Sequence, residues 1–143
     1  MLALQLLRKH YPVLILALAV GALTVLPQVF ASKQVPNFQG IYKTVNNDEL
    51  YYLARAKEVI DGHSAIANPY LYEHKNEPPV QIGLPEYVLA RPLAILNIDL
   101  HHGFLFYDFL LPALGVILSY GLVYFLTKRV LLSFFTAAFL HLN

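Results

Sequence analysis

The sequence predicts an all-α integral membrane protein, and three observations carry that prediction. Of its 143 residues, 57% are hydrophobic and only 13% are charged, whereas ordinary globular domains carry roughly a quarter charged residues. Two long runs, Tyr11 to Ala31 and Phe104 to Thr127, hold a single charge between them, Asp108. About 20 apolar residues suffice for a helix to cross the hydrocarbon core. Each run has a basic cluster at one end, Arg8-Lys9-His10 before the first and Lys128-Arg129 after the second. The composition also excludes other classes. Ten Lys or Arg stand against nine Asp or Glu, without a basic stripe, so there is no nucleic-acid footprint. With no cysteine, disulfide frameworks and thiolate metal sites are ruled out.

The first apolar run reads as a spanning helix over residues 11–31, with Pro12 in its first turn and Pro27 expected to kink or stop it. Val29-Phe30-Ala31 has the small-residue form of a signal-peptide cleavage site. The apolar core is nevertheless longer than the roughly 7–15 residues of a signal, so the segment reads as a retained anchor. The basic cluster in front of it predicts a cytoplasmic N-terminus.

Residues 32–103 are polar enough to leave the membrane as a long outward loop. After a linker from Ser32 to Val45, the stretch NNDELYYLARAKEVIDG from Asn46 to Gly62 predicts an amphipathic helix. Asn46 and Glu49 have the spacing of a capping box. Leu50, Leu53, Ala54, Lys57 and Ile60 recur at helical spacing, and Gly62 is the usual residue just past a helix end. His63 to Gly83 is irregular, with turns at Asn68-Pro69 and Pro78-Pro79. Leu84 to Leu96 predicts a second short helix with Pro85 in its first turn. Pro92 is expected to interrupt it, so that it lies along the membrane surface. Asn97 to Gly103 is a polar corner.

The second spanning segment covers residues 104–127, with Asp108 a turn inside one end and Pro112 four residues on. Lys128 and Arg129 place its far end in the cytoplasm. A multi-pass topology follows, in the plasma membrane if the source is prokaryotic, with N-terminus inside and residues 32–103 extracytoplasmic. Residues 130–143 open a third apolar segment, too short to span if straight. Ending there, the chain reads as the N-terminal part of a longer polytopic protein, or as a truncated product whose missing C-terminal part would be its partner.

In this order of parts the chain resembles the N-terminus of the GT-C membrane glycosyltransferases, in particular the dolichyl-phosphate-mannose protein mannosyltransferases and bacterial lipid A aminoarabinose transferases. The residues that carry the resemblance are Asp48-Glu49, Tyr51-Tyr52-Leu53-Ala54-Arg55 and Asp61-Gly62. Asn68-Pro69-Tyr70 and the Leu84-Pro85 to Leu96 segment add to it. The resemblance implies GT-C-like N-terminal transmembrane helices and transfer of a sugar from a polyprenyl-phosphate donor to an acceptor on the extracytoplasmic face. It implies that Asp48 is the base toward an acceptor hydroxyl and Glu49 its partner, or that the pair helps hold a divalent cation, as in the relatives that need one. Chemistry agrees with the first role, because an alcohol nucleophile needs a proton acceptor within hydrogen-bond reach. Family members have many more spanning helices, and later loops supply the basic residues for the donor phosphate.

Each candidate has a plainer account. Asp48 and Glu49 suit the positive end of a helix dipole on electrostatics alone. Tyr52 is either a sugar-stacking platform or interfacial packing. Arg55, about two turns from Asp48, would face a lipid phosphate or sit as a paired or solvated surface group. Asp108 lies inside an apolar run, where a carboxylate marks a site by default, although pairing with His101 or His102 near the interface would suffice. The histidines lack metal-ligand spacing on a common helix face. Glu73 to Glu77 form a solvated charge run. Two functions therefore stand: the glycosyltransferase, and a small non-catalytic membrane protein whose outer loop binds a partner or lipid headgroups. A transporter or channel subunit fits less well, because the polar residues gather in the loop.

Overall fold

The structure is a computed structural model that describes residues 2–42, 47–63, 66, 68, 71–74, 77–78 and 83–142. Among these residues it is wholly helical, with α1 Leu2–Lys33, α2 Asn47–Ile60, α3 Leu84–Leu96, α4 Leu100–Thr127 and α5 Val130–Leu142. A single 3-10 turn, Tyr72–His74, lies between α2 and α3. The expected cap at Asn46, together with Pro69, Tyr70, Lys75, Asn76 and Pro79, lies outside the described residues. The chain divides into two units, one of Met1–Val35 with Leu105–Asn143 and one of Pro36–Phe104.

In the first unit, Val13, Leu16, Ala17 and Val20 recur at helical spacing and form the buried face of α1. They share a core with Ala113, Val116 and Tyr120 of α4 and Ala137 of α5. Alanines at this junction, with fully buried Ser133 beside them, let the helices approach closely. At Gly21 the approach is closest: a Cβ there would lie 2.5 Å from the Phe109 carbonyl oxygen. Large side chains point the other way. Ile15, Leu18, Leu23 and Phe30 of α1, and Leu118, Leu122, Phe125 and Leu126 of α4, are all exposed.

Among the described residues, two helices are long and apolar enough to cross a membrane, over Arg8–Lys33 and Leu100–Thr127. Only 28% and 17% of their most apolar windows are buried, unlike the core helix of a soluble domain. Helix α5 turns back after Lys128, whose φ of 56° reverses the chain, so that His141 returns to within 3.3 Å of Ser119.

Pro27 and Pro92 do not stop their helices. Helix α1 begins at Leu2, so Pro12 is an interior residue, and the helix runs on through Pro27 to Lys33. Helix α3 likewise continues through Pro92. A helical proline removes one N–H and orphans the carbonyl four residues before it, and the helix survives when packing or another donor compensates. Pro112 of α4 shows the compensation directly. It leaves the Asp108 carbonyl without its N–H partner, and the Thr24 hydroxyl of α1 donates to that oxygen at 2.6 Å. The same hydroxyl reaches its own Gly21 carbonyl at 2.8 Å.

The second unit is built on α2 packed against α3. Ala56 and Val59 of α2, Ile66 of the connection after it and Ala90 of α3 form its core, joined by Ile60, Tyr87, Leu100 and Phe104. Helix α2 lies where the periodicity predicts it, and Gly62 adopts the left-handed φ of +90° that its position requires. The corner Asn97–Gly103 is shorter than expected, because α4 already begins at Leu100. Asp99 caps that start, accepting the His101 and His102 amides at 3.0 and 3.2 Å. His102 Nδ1 lies 2.9 Å from the same carboxylate oxygen. That hydrogen bond, with the two amides, holds the Asp99 carboxyl below its ordinary range against a smaller opposing effect of burial.

Candidate functional site

The first turn of α2 carries the two carboxylates singled out by the sequence. Asp48 is exposed and Glu49 half-buried, and both lie in the acidic first turn, where the helix dipole favours them. Neighbours in sequence diverge by about 100° around a helix, so the two do not present a common face. One turn on, Tyr52 is 52% exposed and meets Tyr51 edge-on at 5.5 Å between ring centroids. Its ring is thus available on the same stripe as Asp48, four residues away.

Below this surface layer the helix is fixed by an ion pair that local sequence patterns do not show. Arg55 is 2% exposed and its Nε donates to Glu86 Oε1 of α3 at 2.5 Å. Its Nη1 donates to the Tyr51 hydroxyl at 3.1 Å, and its guanidinium carbon lies 5.2 Å from the Tyr51 ring centroid. Burial pulls the Arg55 pKa down, but the hydrogen bond and charge of Glu86, with a smaller contribution from Tyr51, outweigh it and leave the pKa raised. Arg55 is therefore held as a cation inside the α2–α3 interface, with its charge met by Glu86 and not by a surface anion. The second Glu86 oxygen, Oε2, is buried without a hydrogen-bond partner. Glu86 was not among the sequence candidates. Its signal was a lone carboxylate in the otherwise apolar run from Leu84 to Ala90, a position that calls for a buried partner.

Asp108 belongs to the first unit and takes part in a separate polar contact. Gln28 Nε2 of α1 donates to its Oδ2 at 3.1 Å, next to the Thr24 bond to its carbonyl. Its side chain is half-buried between the two helices. Of the charge run, Glu73, His74 and Glu77 are exposed, with His74 Nδ1 2.5 Å from Glu77 Oε1.

A groove of about 570 Å³ opens between α2 and α3, lined by Val59, Gly62, His63, Tyr87, Val88 and Arg91. It sits at the far end of α2 from Asp48, about 20 Å away at 1.5 Å per residue. One wall is set by the Tyr87 hydroxyl, which donates to the His63 carbonyl at 3.2 Å. His63 Nδ1 is buried and stands 3.0 Å from Glu58 Oε2, out of line for a hydrogen bond. Among the described residues, no three His, Asp or Glu side chains converge on a point that would hold a metal ion. No protein-family model, curated protein or solved structure matches the chain.

Proposed function

We propose that this chain is the N-terminal portion of a membrane glycosyltransferase of the GT-C type, moving a sugar from a polyprenyl-phosphate donor to an acceptor on the extracytoplasmic face. The carrying observation is the exposed Asp48 carboxylate in the first turn of α2, on a helix locked to α3 by the Arg55–Glu86 pair. The membrane part of the reading is supported by the outward-facing large apolar side chains of α1 and α4, a distribution that in water would be an aggregation liability. Both basic clusters stand at one end of the first unit, where Lys9 of α1 reaches Tyr124 of α4. That supports a cytoplasmic N-terminus with residues 32–103 outside.

In the proposed reaction the acceptor hydroxyl gives its proton to Asp48 as its oxygen bonds the anomeric carbon. The bond from that carbon to the lipid phosphate breaks, and the polyprenyl phosphate leaves with the electron pair. Tyr52 lies one turn away as a surface for the acceptor or the sugar, and Glu49 adjusts the local field. Asp48→Asn in the full-length protein is expected to lower transfer from a radiolabelled polyprenyl-phosphate sugar by about 10²–10⁴-fold, the usual worth of a general base. Unchanged transfer would remove Asp48 from the role.

One observation favours the second reading, a non-catalytic membrane protein whose outer loop binds a partner or lipid headgroups. Arg55, the candidate cation for a donor phosphate, is paired with Glu86 inside the protein. Absence of any sugar transfer by the wild-type full-length protein, with every polyprenyl donor tried, would decide for that reading.

A further inference from the structure

We infer that the basic end of the first unit is a headgroup site for an anionic phospholipid, formed by Lys9 and Lys128 around Tyr124 with Arg8 and Arg129 at its rim. This rests on the membrane part of the proposed function and not on the enzyme part. Lys9 Nζ donates to the Tyr124 hydroxyl at 2.9 Å and lies 5.3 Å from the ring centroid. Lys128 Nζ lies 5.9 Å from the same centroid and 4.6 Å from that of Phe125. Two ammonium groups from opposite ends of the sequence are thus held beside one ring, each tethered by an aromatic. An ammonium has three donors, and one from Lys9 is used, so most of the donors at this end remain to be met.

Among the described residues of the unit, no acidic side chain neutralises them. Residues 1–35 and 105–143 contain Arg8, Lys9, Lys33, Lys128 and Arg129 but only one acid, Asp108. Asp108 is 16 residues from Tyr124 on α4, about 24 Å along the helix. Gathered like charges repel, and an anion between them relieves the repulsion. The inner wall of the site is polar and ordered: His10 Nδ1 sits 2.5 Å from the Tyr120 hydroxyl, and the Tyr120 and Tyr124 rings are parallel to within 1°.

The surroundings decide which anion. Tyr11, Phe125, Leu126 and Leu131 are 54%, 71%, 72% and 72% exposed at the same end. A ligand that puts an anionic phosphate on the lysines therefore lays its remainder on apolar side chains, as a phospholipid does and free phosphate does not. Basic pockets between spanning helices take such headgroups, and the tyrosines suit headgroup depth.

The test uses full-length protein reconstituted in phosphatidylcholine vesicles with and without phosphatidylglycerol, followed by mild detergent extraction and mass spectrometry of the lipids retained. Wild type is expected to retain phosphatidylglycerol above its share of the bilayer. Lys9→Gln/Lys128→Gln should lose that enrichment by roughly tenfold or more, Lys9→Arg/Lys128→Arg should restore it, and Lys33→Gln at the other end of α1 should leave it intact. Equal retention by the Gln variant, an equal loss in Lys33→Gln, or displacement of the lipid by inorganic phosphate would each overturn the site. Protein that stays embedded after alkaline washing yet shows no enrichment sinks the site alone. Protein recovered in the aqueous wash sinks the membrane reading and the site with it.

Discussion

Arg55 and Glu86 form a pair 31 residues apart whose side chains are 2% and 6% exposed. Removing one partner of a buried pair leaves the other charge stranded, at a cost of about 3–5 kcal/mol. Replacing both with apolar residues of similar size removes the desolvation penalty as well as the attraction. Glu86→Ala and Arg55→Ala are therefore each expected to lower the unfolding midpoint strongly, while Arg55→Met/Glu86→Leu returns close to wild type. Chemical unfolding of the detergent-solubilised protein, followed by helical circular dichroism, reads this directly. Equal damage from the single and double changes would mean that the pair contributes specific geometry and not only balanced charge. The same pair marks a limit of reading from sequence. Spacing placed Arg55 on a stripe with Asp48, but periodicity does not say which stripe faces α3. The missing information was Glu86, whose relation to Arg55 exists only once α2 and α3 pack.

At the scale of elements, the helices themselves were legible and their ends less so. The leucine period and Gly62 marked α2, and a proline near the start marked α3, because those signals are local. Pro27 and Pro92 do not stop their helices, because a proline's effect depends on what meets the freed carbonyl, and that partner is often on another helix. Thr24 is the clearest instance, since its hydroxyl answers the carbonyl that Pro112 orphans on Asp108. Thr24→Val keeps the shape and deletes the donor, and is expected to destabilise the α1–α4 contact by about 0.5–1.5 kcal/mol, the net worth of a hydrogen bond. Restoring an N–H with Pro112→Ala should suppress much of that loss, a coupling that a double-mutant cycle measures. Gly21 sets the spacing at the same crossing. Gly21→Ala brings a Cβ to 2.5 Å from the Phe109 oxygen, whereas Gly121→Ala meets nothing within 4 Å. The first should loosen the helix pair and the second should not. Matching unfolding curves for the two variants would show that the close approach at Gly21 contributes nothing.

For the whole molecule the quantity to measure is the sidedness of the chain, and these 143 residues contain no cysteine, so single cysteines placed in them can report it. The basic residues outside residues 32–103 are Arg8, Lys9, Lys128 and Arg129, while residues 32–103 hold six Lys or Arg against eight acids. A bias of Lys and Arg near the ends of spanning segments fixes them on the cytoplasmic side. On that ground Glu73→Cys, exposed in the 3-10 turn, should react with a membrane-impermeant maleimide in intact cells. Arg129→Cys, exposed between α4 and α5, should react only after permeabilisation. The outcome bears on chemistry as well as on topology. A base at Asp48 reaches a lipid-linked donor on the outer face only if residues 32–103 are outside, so labelling of Arg129→Cys alone in intact cells would invert the chain and withdraw Asp48 from that reaction. Labelling of both in intact cells would mean that α4 does not cross, leaving an α4 whose exposed apolar side chains need another covering.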